Sequence, residues 1–158
     1  MLGPAERAWC VVVPHQPRGA RMARHRLSTE LVGTIRPGLL ADVVAVLAEL
    51  VGNSVRHAAP LPGEVIRVAW RHRLDGDHDI VQVRVTDGGG GAVPRLRPTD
   101  LDSLDGRGLH IVAALATRWG SDRDGLGQSV WAEFRAPAAR LPGPDGDDPA
   151  PNDLLATR

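Results

Sequence analysis

The stretch LAELVGNSVRHA, residues 47–58, carries the most information about the fold. Apolar residues recur at three- and four-residue spacing from residue 39 to residue 51, which predicts one helix over 39–58. Glu49, Asn53 and His57 follow at spacings of four, and each step advances about 40° past a full turn, so the three share one flank. A carboxylate there can accept a proton, and a carboxamide oxygen can bind a hard cation such as magnesium. The alternative for this segment alone is an amphipathic helix whose polar side faces water.

The composition narrows the possible functions. The chain has 158 residues, which predicts one domain, and its formal net charge is zero, so we expect no direct binding to nucleic acid or to an anionic membrane. All 19 basic residues are arginine, so a P-loop lysine, a Schiff-base lysine and a Ser-Lys dyad are excluded. Cys10 is the single cysteine and fits a reducing cytoplasm; its apolar neighbours predict a buried thiol. We find no apolar run of 18 residues and no signal peptide.

The rest of the chain divides by periodicity and by turn residues. Residues 1–8 form an N-terminal extension, 9–136 a single domain, and 137–158 a tail rich in Pro, Gly and Asp that we expect to be disordered. Within the domain, the pattern predicts strands at 9–13, 65–73, 79–87 and 128–135, and helices at 20–32, 39–58 and 107–118. The strands at 65–73 and 79–87 form a hairpin with a turn of about five residues. The segment 92–105 is predicted to be a loop, and 122–127 a turn.

The strand at 79–87 ends in a carboxylate. Val81, Val83 and Val85 share one face, and Asp87 continues their parity at the end of this core-facing row. Because a buried carboxylate without partners is costly, we expect Asp87 to have a dedicated donor, either from a turn backbone or from a ligand. Four glycines follow it, and Gly106-Arg107-Gly108 opens the next helix.

These features have a common use around a nucleotide. A carboxylate can accept a hydrogen bond from the amino group of adenine, which guanine lacks at that ring position. Glycines let the backbone approach a base or a phosphate closely, and a helix N-terminus offers N–H groups to an anion. Neither glycine stretch fits a dinucleotide-binding G-x-G-x-x-G, because Pro94 and Ile111 occupy the third-glycine positions. With one cysteine in the chain, we also expect no zinc site at His72 and His78.

In this order, the three segments resemble the sequence boxes of the GHKL superfamily of ATP-binding domains. Glu49…Asn53 is similar to the first box, Asp87 to Gly91 to the second and Gly106 to Gly108 to the third. The resemblance spans about residues 9–136 and is strongest to stand-alone bacterial anti-sigma-factor regulatory serine/threonine kinases. It implies a Bergerat-type α/β two-layer sandwich, with a mixed, mainly antiparallel sheet and helices on one face.

The resemblance also implies ATP and Mg²⁺ as cofactors. It makes Glu49 the general base that activates an acceptor serine, Asn53 the magnesium ligand and Asp87 the partner of the adenine amino group. Segment 92–105 becomes the ATP lid. For Arg107 two alternatives remain, a contact with a phosphate or an exposed position. The other implied ATP contacts are Gly89, Gly91, Gly106, Gly108, and the N–H groups of Leu109 and His110.

The implied partners are a sigma factor, which the domain would sequester, and an antagonist of the anti-sigma activity, which it would phosphorylate. The family's first helix carries an arginine for sigma-factor docking; Arg21 is the best match, with Arg24 as the alternative. The basic residues of 20–32 are otherwise explained as a solvated helix face. A homodimer is possible from the resemblance. The alternative function is a non-catalytic protein-binding module that responds to nucleotide.

Overall fold

The computed structural model describes residues 5–90 and 104–139, with the side chains of 104–108 excepted. In chain order the elements are β1 (Arg7–Pro14), α1 (Pro17–Leu31), α2 (Pro37–His57), β2 (Val65–Asp75), β3 (His78–Asp87), α3 (Leu104–Leu115), β4 (Arg118–Asp124) and β5 (Gly127–Pro137). The helices and strands predicted within 9–87 are confirmed, with bounds that differ by up to three residues; both helices begin earlier and end one residue earlier than predicted. The predicted tail lies almost wholly outside the described residues, as do residues 1–4.

The five strands form one open sheet in the order β1-β2-β3-β5-β4, and all four neighbouring pairs are antiparallel. Alternate residues of the central strands, including Val68, Val83 and Ala132, are buried with the helices in a single core. α1 packs on β1 and β2, and α2 packs on β3 and β5 and lies between α1 and α3. The predicted α/β two-layer sandwich is therefore confirmed, and the described strands contain no parallel pair.

α2 is the core helix of the domain. Pro37 lies in its first turn, where a missing N–H costs nothing, and the chain leaves helical geometry at Ala58. Its apolar stripe, which includes Val43, Leu47 and Leu50, is buried. Among the described residues, this 21-residue helix, with a mean hydropathy of 1.6, is the only one whose length and composition would allow it to cross a membrane. Asp42 and Glu49 interrupt its apolar sequence, and the burial of its stripe is that of a core helix.

The C-terminal part of the domain differs from the prediction. The helix predicted at 107–118 is α3, Leu104–Leu115, and the predicted turn at 122–127 belongs partly to β4, which pairs with β5. β4 is an edge strand of mostly polar residues, so it lacks the apolar alternation that identifies a strand. Its place depends on backbone pairing and on Gly120, where a Cβ would lie 2.8 Å from the ring of Trp131.

Three smaller expectations are also corrected. The β2–β3 turn is two residues long, since Asp75 pairs with His78, and Gly76 adopts the positive φ of 60° that such tight turns require. Met22, predicted on the apolar side of the first helix, is 50% exposed, because α1 buries a stripe at spacings of four that includes Ala23 and Leu27. Cys10 is exposed, since its β1 neighbours Trp9 and Val11 take the helix-facing positions.

Candidate nucleotide-binding site

Asp87 is a fixed, buried acceptor at the end of β3, with a residue exposure of 6%. Ser54 Oγ of α2 donates to one carboxylate oxygen at 2.5 Å, and the backbone N–H of Gly89 donates to the other at 2.8 Å. The expectation of a dedicated donor is confirmed: the turn backbone supplies one, and α2 supplies a second. These two hydrogen bonds fix the orientation of the carboxylate.

The glycines after Asp87 pack on the end of α2. Gly88 N–H donates to the Ala59 carbonyl at 2.7 Å, and Ala59 N–H donates to the Gly89 carbonyl at 2.9 Å. A Cβ at Gly88 would collide with the Pro60 carbonyl, and Gly89 has a φ of 80°. Side chains are therefore excluded by close backbone contact at one position and by backbone geometry at the next. The second box is thereby joined to the end of the helix that carries the first.

Gln128 of β5 lies opposite Asp87 in the sheet and is 5% exposed. Its Nε2 has no hydrogen-bond partner in the described part of the chain. A buried donor without a partner is costly, so it indicates a polar group that the bare chain does not supply. The end of the β3–β5 pair thus places an acceptor, Asp87, beside an open donor.

Glu49 and Asn53 lie half-buried on α2, at the edge of its buried stripe. Glu49 makes no side-chain hydrogen bond or ion pair within the described residues, so its carboxylate is free to accept a proton. Asn53 Oδ1 accepts a hydrogen bond of 2.9 Å from Nη2 of Arg56, an exposed side chain. Asn53 directly precedes Ser54, so α2 brings the first box next to the carboxylate of the second.

α3 begins at Leu104, three residues before the predicted start. Gly106 and Gly108 therefore lie within its first two turns rather than ahead of them. In a regular α-helix the N–H groups of Leu109 and His110 bond within the helix, so the free N–H groups are those of the first turn. Leu109 is buried, and the Nε2 of His110 is buried without a partner in the described region.

Part of the predicted site lies outside the described part of the chain. Gly91 and residues 92–103 of the predicted lid lie outside the described residues, and so does the side chain of Arg107. The last two lid positions, 104 and 105, belong to α3.

Residues 13–134 match the family model of the histidine kinase-like ATPase domain. The chain belongs to this family. No curated protein matches it significantly. The match covers α2, the glycine turn after β3 and α3, and therefore all three predicted boxes. The predicted membership in the superfamily of histidine kinase-like ATPases is confirmed.

A histidine kinase-like ATPase domain binds ATP, and the described residues fit an adenine nucleotide. Asp87 offers an acceptor and Gln128 an unsatisfied donor, which together match the amino group and ring nitrogen at one edge of adenine. Asn53 Oδ1 is an oxygen of the kind that hard cations bind, and its one described partner is the exposed side chain of Arg56. The described residues contain no cluster of three His, Cys, Asp or Glu side chains that could hold a metal ion alone.

Two residues beside Asp87 in the candidate site, Ser54 and Gln128, were missed from the sequence. The signal for Gln128 was present: it continues the parity of Val130, Ala132 and Phe134, as Asp87 continues its own row. Ser54 gave no such signal, because serine next to Asn53 is also compatible with a solvated helix end.

Proposed function

We propose that this domain is a bacterial, cytoplasmic protein serine/threonine kinase that uses magnesium-ATP, sequesters a sigma factor and phosphorylates an antagonist protein. The family implies ATP binding and kinase-like activity. The acceptor residue, the partners and a homodimer rest on the resemblance of the boxes, and the cytoplasmic location rests on the single cysteine. The proposal includes no direct contact with nucleic acid or membrane.

The observation that carries the catalytic proposal is the free carboxylate of Glu49. It lies one helical turn before Asn53, is half-buried and has no described side-chain partner. A base in this position would accept the proton of a serine hydroxyl as its oxygen attacks phosphorus. A carboxylate engaged in an ion pair would serve this role less well, since the pair stabilises its deprotonated state.

Replacing Glu49 tests this role. In Glu49→Ala we expect phosphate transfer to fall by about 10²- to 10⁴-fold, the usual contribution of a general base, while ATP affinity changes little. Transfer is measured with γ-labelled ATP and an acceptor protein isolated from a bacterial lysate, and affinity by calorimetry. The matched control is Asp42→Asn, which changes an acid two turns earlier on α2. Full transfer by Glu49→Ala would contradict the assignment.

Partner docking is proposed for the exposed side of α1. Arg21 and Arg24 are exposed, and the half-exposed Met22 lies between them, so the helix offers both charge and apolar area. Of the two single variants Arg21→Ala and Arg24→Ala, the one that removes the docking arginine should weaken sigma-factor binding by at least tenfold. The other variant should bind as wild type does. Comparing the two variants shows whether Arg21 or Arg24 is the docking arginine. If both variants bind the sigma factor as tightly as wild type, α1 is not part of the interface.

The same basic helix supports the second candidate function, a module that binds a partner in response to nucleotide without catalysis. This face does not depend on Glu49, so docking could occur without phosphate transfer. ATP binding and partner binding without transfer by the wild-type domain would favour the module. An absence of ATP binding at millimolar nucleotide would contradict both nucleotide-dependent functions.

A further inference from the structure

Arg56 folds back along α2 over the first box. Its Nη2 donates to Asn53 Oδ1 at 2.9 Å, one turn earlier on the helix. Its guanidinium also lies over Gly52, where an added Cβ would be 3.0 Å from Nη1. The three residues form a unit in which a cation lies along the helix surface and contacts the carboxamide.

Gly52 is otherwise unexpected at this position. Glycine is among the poorest helix formers, yet Gly52 lies in the last turns of a 21-residue helix. The three atoms nearest to an added Cβ all belong to the Arg56 guanidinium. Because Gly52 has no side chain, the Arg56 guanidinium has room to lie beside Asn53.

The oxygen that Arg56 contacts is the one that a magnesium ion would need. Arginine is always protonated, so Arg56 is a permanent cation, and two cations at one carboxamide oxygen repel each other. We propose that Arg56 occupies Asn53 Oδ1 in the nucleotide-free domain and competes there with Mg²⁺. Magnesium then gains this ligand only when the guanidinium leaves. This inference rests on the proposed use of magnesium-ATP.

The test measures how strongly magnesium enhances ATP binding. Calorimetry of the full chain gives the ratio of the ATP Kd in EDTA to the Kd at saturating Mg²⁺. In Arg56→Ala the competitor is gone, so we expect this ratio to rise about two- to fivefold, the effect of an exposed hydrogen bond to a charged group. Arg73→Ala, which removes an equal charge at the opposite, hairpin end of the sheet, should leave the ratio unchanged.

Gly52→Ala provides a second test with an independent readout. The new Cβ must move the guanidinium by a few tenths of an ångström, so the ratio should rise, but less than in Arg56→Ala. Because alanine is the better helix former, the Tm should also rise, by about 2–4 °C for a chain of this size. A variant that is more stable and yet more dependent on magnesium would not be explained by local unfolding.

The outcomes separate this inference from the proposed function. If the wild type binds ATP and Arg56→Ala changes both Kd values by the same factor, Arg56 acts on nucleotide alone and the competition is wrong. A lower ratio in Arg56→Ala would also overturn it. If wild type binds no ATP under either condition, the proposed function fails, and the inference fails with it.

Discussion

At the scale of single residues, the site depends on a few polar contacts that join distant parts of the chain. Ser54 and Asp87 are 33 residues apart, yet their side chains form one buried hydrogen bond. The contact holds the carboxylate in the orientation in which it would meet a base. It also satisfies a hydroxyl that would otherwise be buried without a partner.

Replacing Ser54 should therefore affect both stability and binding. In Ser54→Ala, Asp87 loses one of two donors, so we expect a loss of about 1–3 kcal/mol in the free energy of unfolding. ATP affinity should fall roughly tenfold, since the carboxylate is less well oriented. Urea denaturation and calorimetry measure the two effects. Ser28→Ala, at a hydroxyl of α1 without a described partner, is the control; equal effects in both variants would contradict the prediction.

A second residue-scale prediction concerns pH. Arg135 donates to Asp75 at 2.6 Å, and this hydrogen bond and the arginine's charge lower the pKa of the Asp75 carboxyl. A lowered folded-state pKa stabilises the fold above the unfolded-state value, and this contribution is lost as pH falls through the folded-state pKa. In Arg135→Ala the pKa of Asp75 should return toward its ordinary value. Carboxyl chemical shifts followed during an acid titration measure it; an unchanged titration would show that Arg135 is not the cause.

At the scale of elements, α2 connects the parts of the domain. One side of this helix forms the core, an adjacent flank carries Glu49 and Asn53, and its last turns hold Asp87 and the glycine turn. Its C-terminal end is also joined to the segment that precedes α1. His15 Nε2 lies 2.9 Å from the Ser54 carbonyl and 2.8 Å from the Ala58 carbonyl.

His15 should therefore act as a cap for α2. Both of its partners are carbonyl oxygens, so the Nε2 must carry a proton and donate to them. In His15→Ala these carbonyls at the helix end lose a donor, and we expect a loss of about 1–2 kcal/mol in the free energy of unfolding, measured by urea denaturation. His25→Ala, at an exposed position of α1, should change stability by less than about 0.5 kcal/mol. The prediction is wrong if His15→Ala is as stable as His25→Ala.

At the scale of the whole molecule, ATP should stabilise the folded domain because the site exists only when α2, β3 and β5 are assembled. At ATP concentrations near 100 times Kd, linkage predicts about 2.7 kcal/mol of stabilisation. For a domain of this size this corresponds to a Tm increase of about 5–10 °C.

Thermal unfolding with ATP, GTP or no nucleotide measures this effect. Wild type should be stabilised by ATP more than by GTP, because guanine presents no amino group at the position that Asp87 would contact. Asp87→Asn should lose most of the ATP-dependent increase, since an amide cannot replace both accepting oxygens. Equal stabilisation of Asp87→Asn and wild type by ATP would remove Asp87 from the base-binding site.

The sequence by itself determined the features that depend on local periodicity. The apolar stripe of α2, the alternation that puts Asp87 on the core face and the β2–β3 hairpin were all predicted, because each depends on residues within a few positions of one another. The order of Glu49, Asn53, Asp87 and the glycines was sufficient to recognise the histidine kinase-like family, since those residue types at those separations have a joint use around a nucleotide.

Only the tertiary structure decided which residues lie around Asp87 in the candidate site. Ser54 contacts Asp87 and Gln128 lies opposite it through pairings across more than 30 residues, and no local spacing encodes such pairings. β4 was missed for the same reason: its polar residues form a strand because β5 offers an edge to pair with. Arg56 and Asn53 are only three residues apart, but their contact depends on a side-chain conformation that the pattern of residue types does not specify.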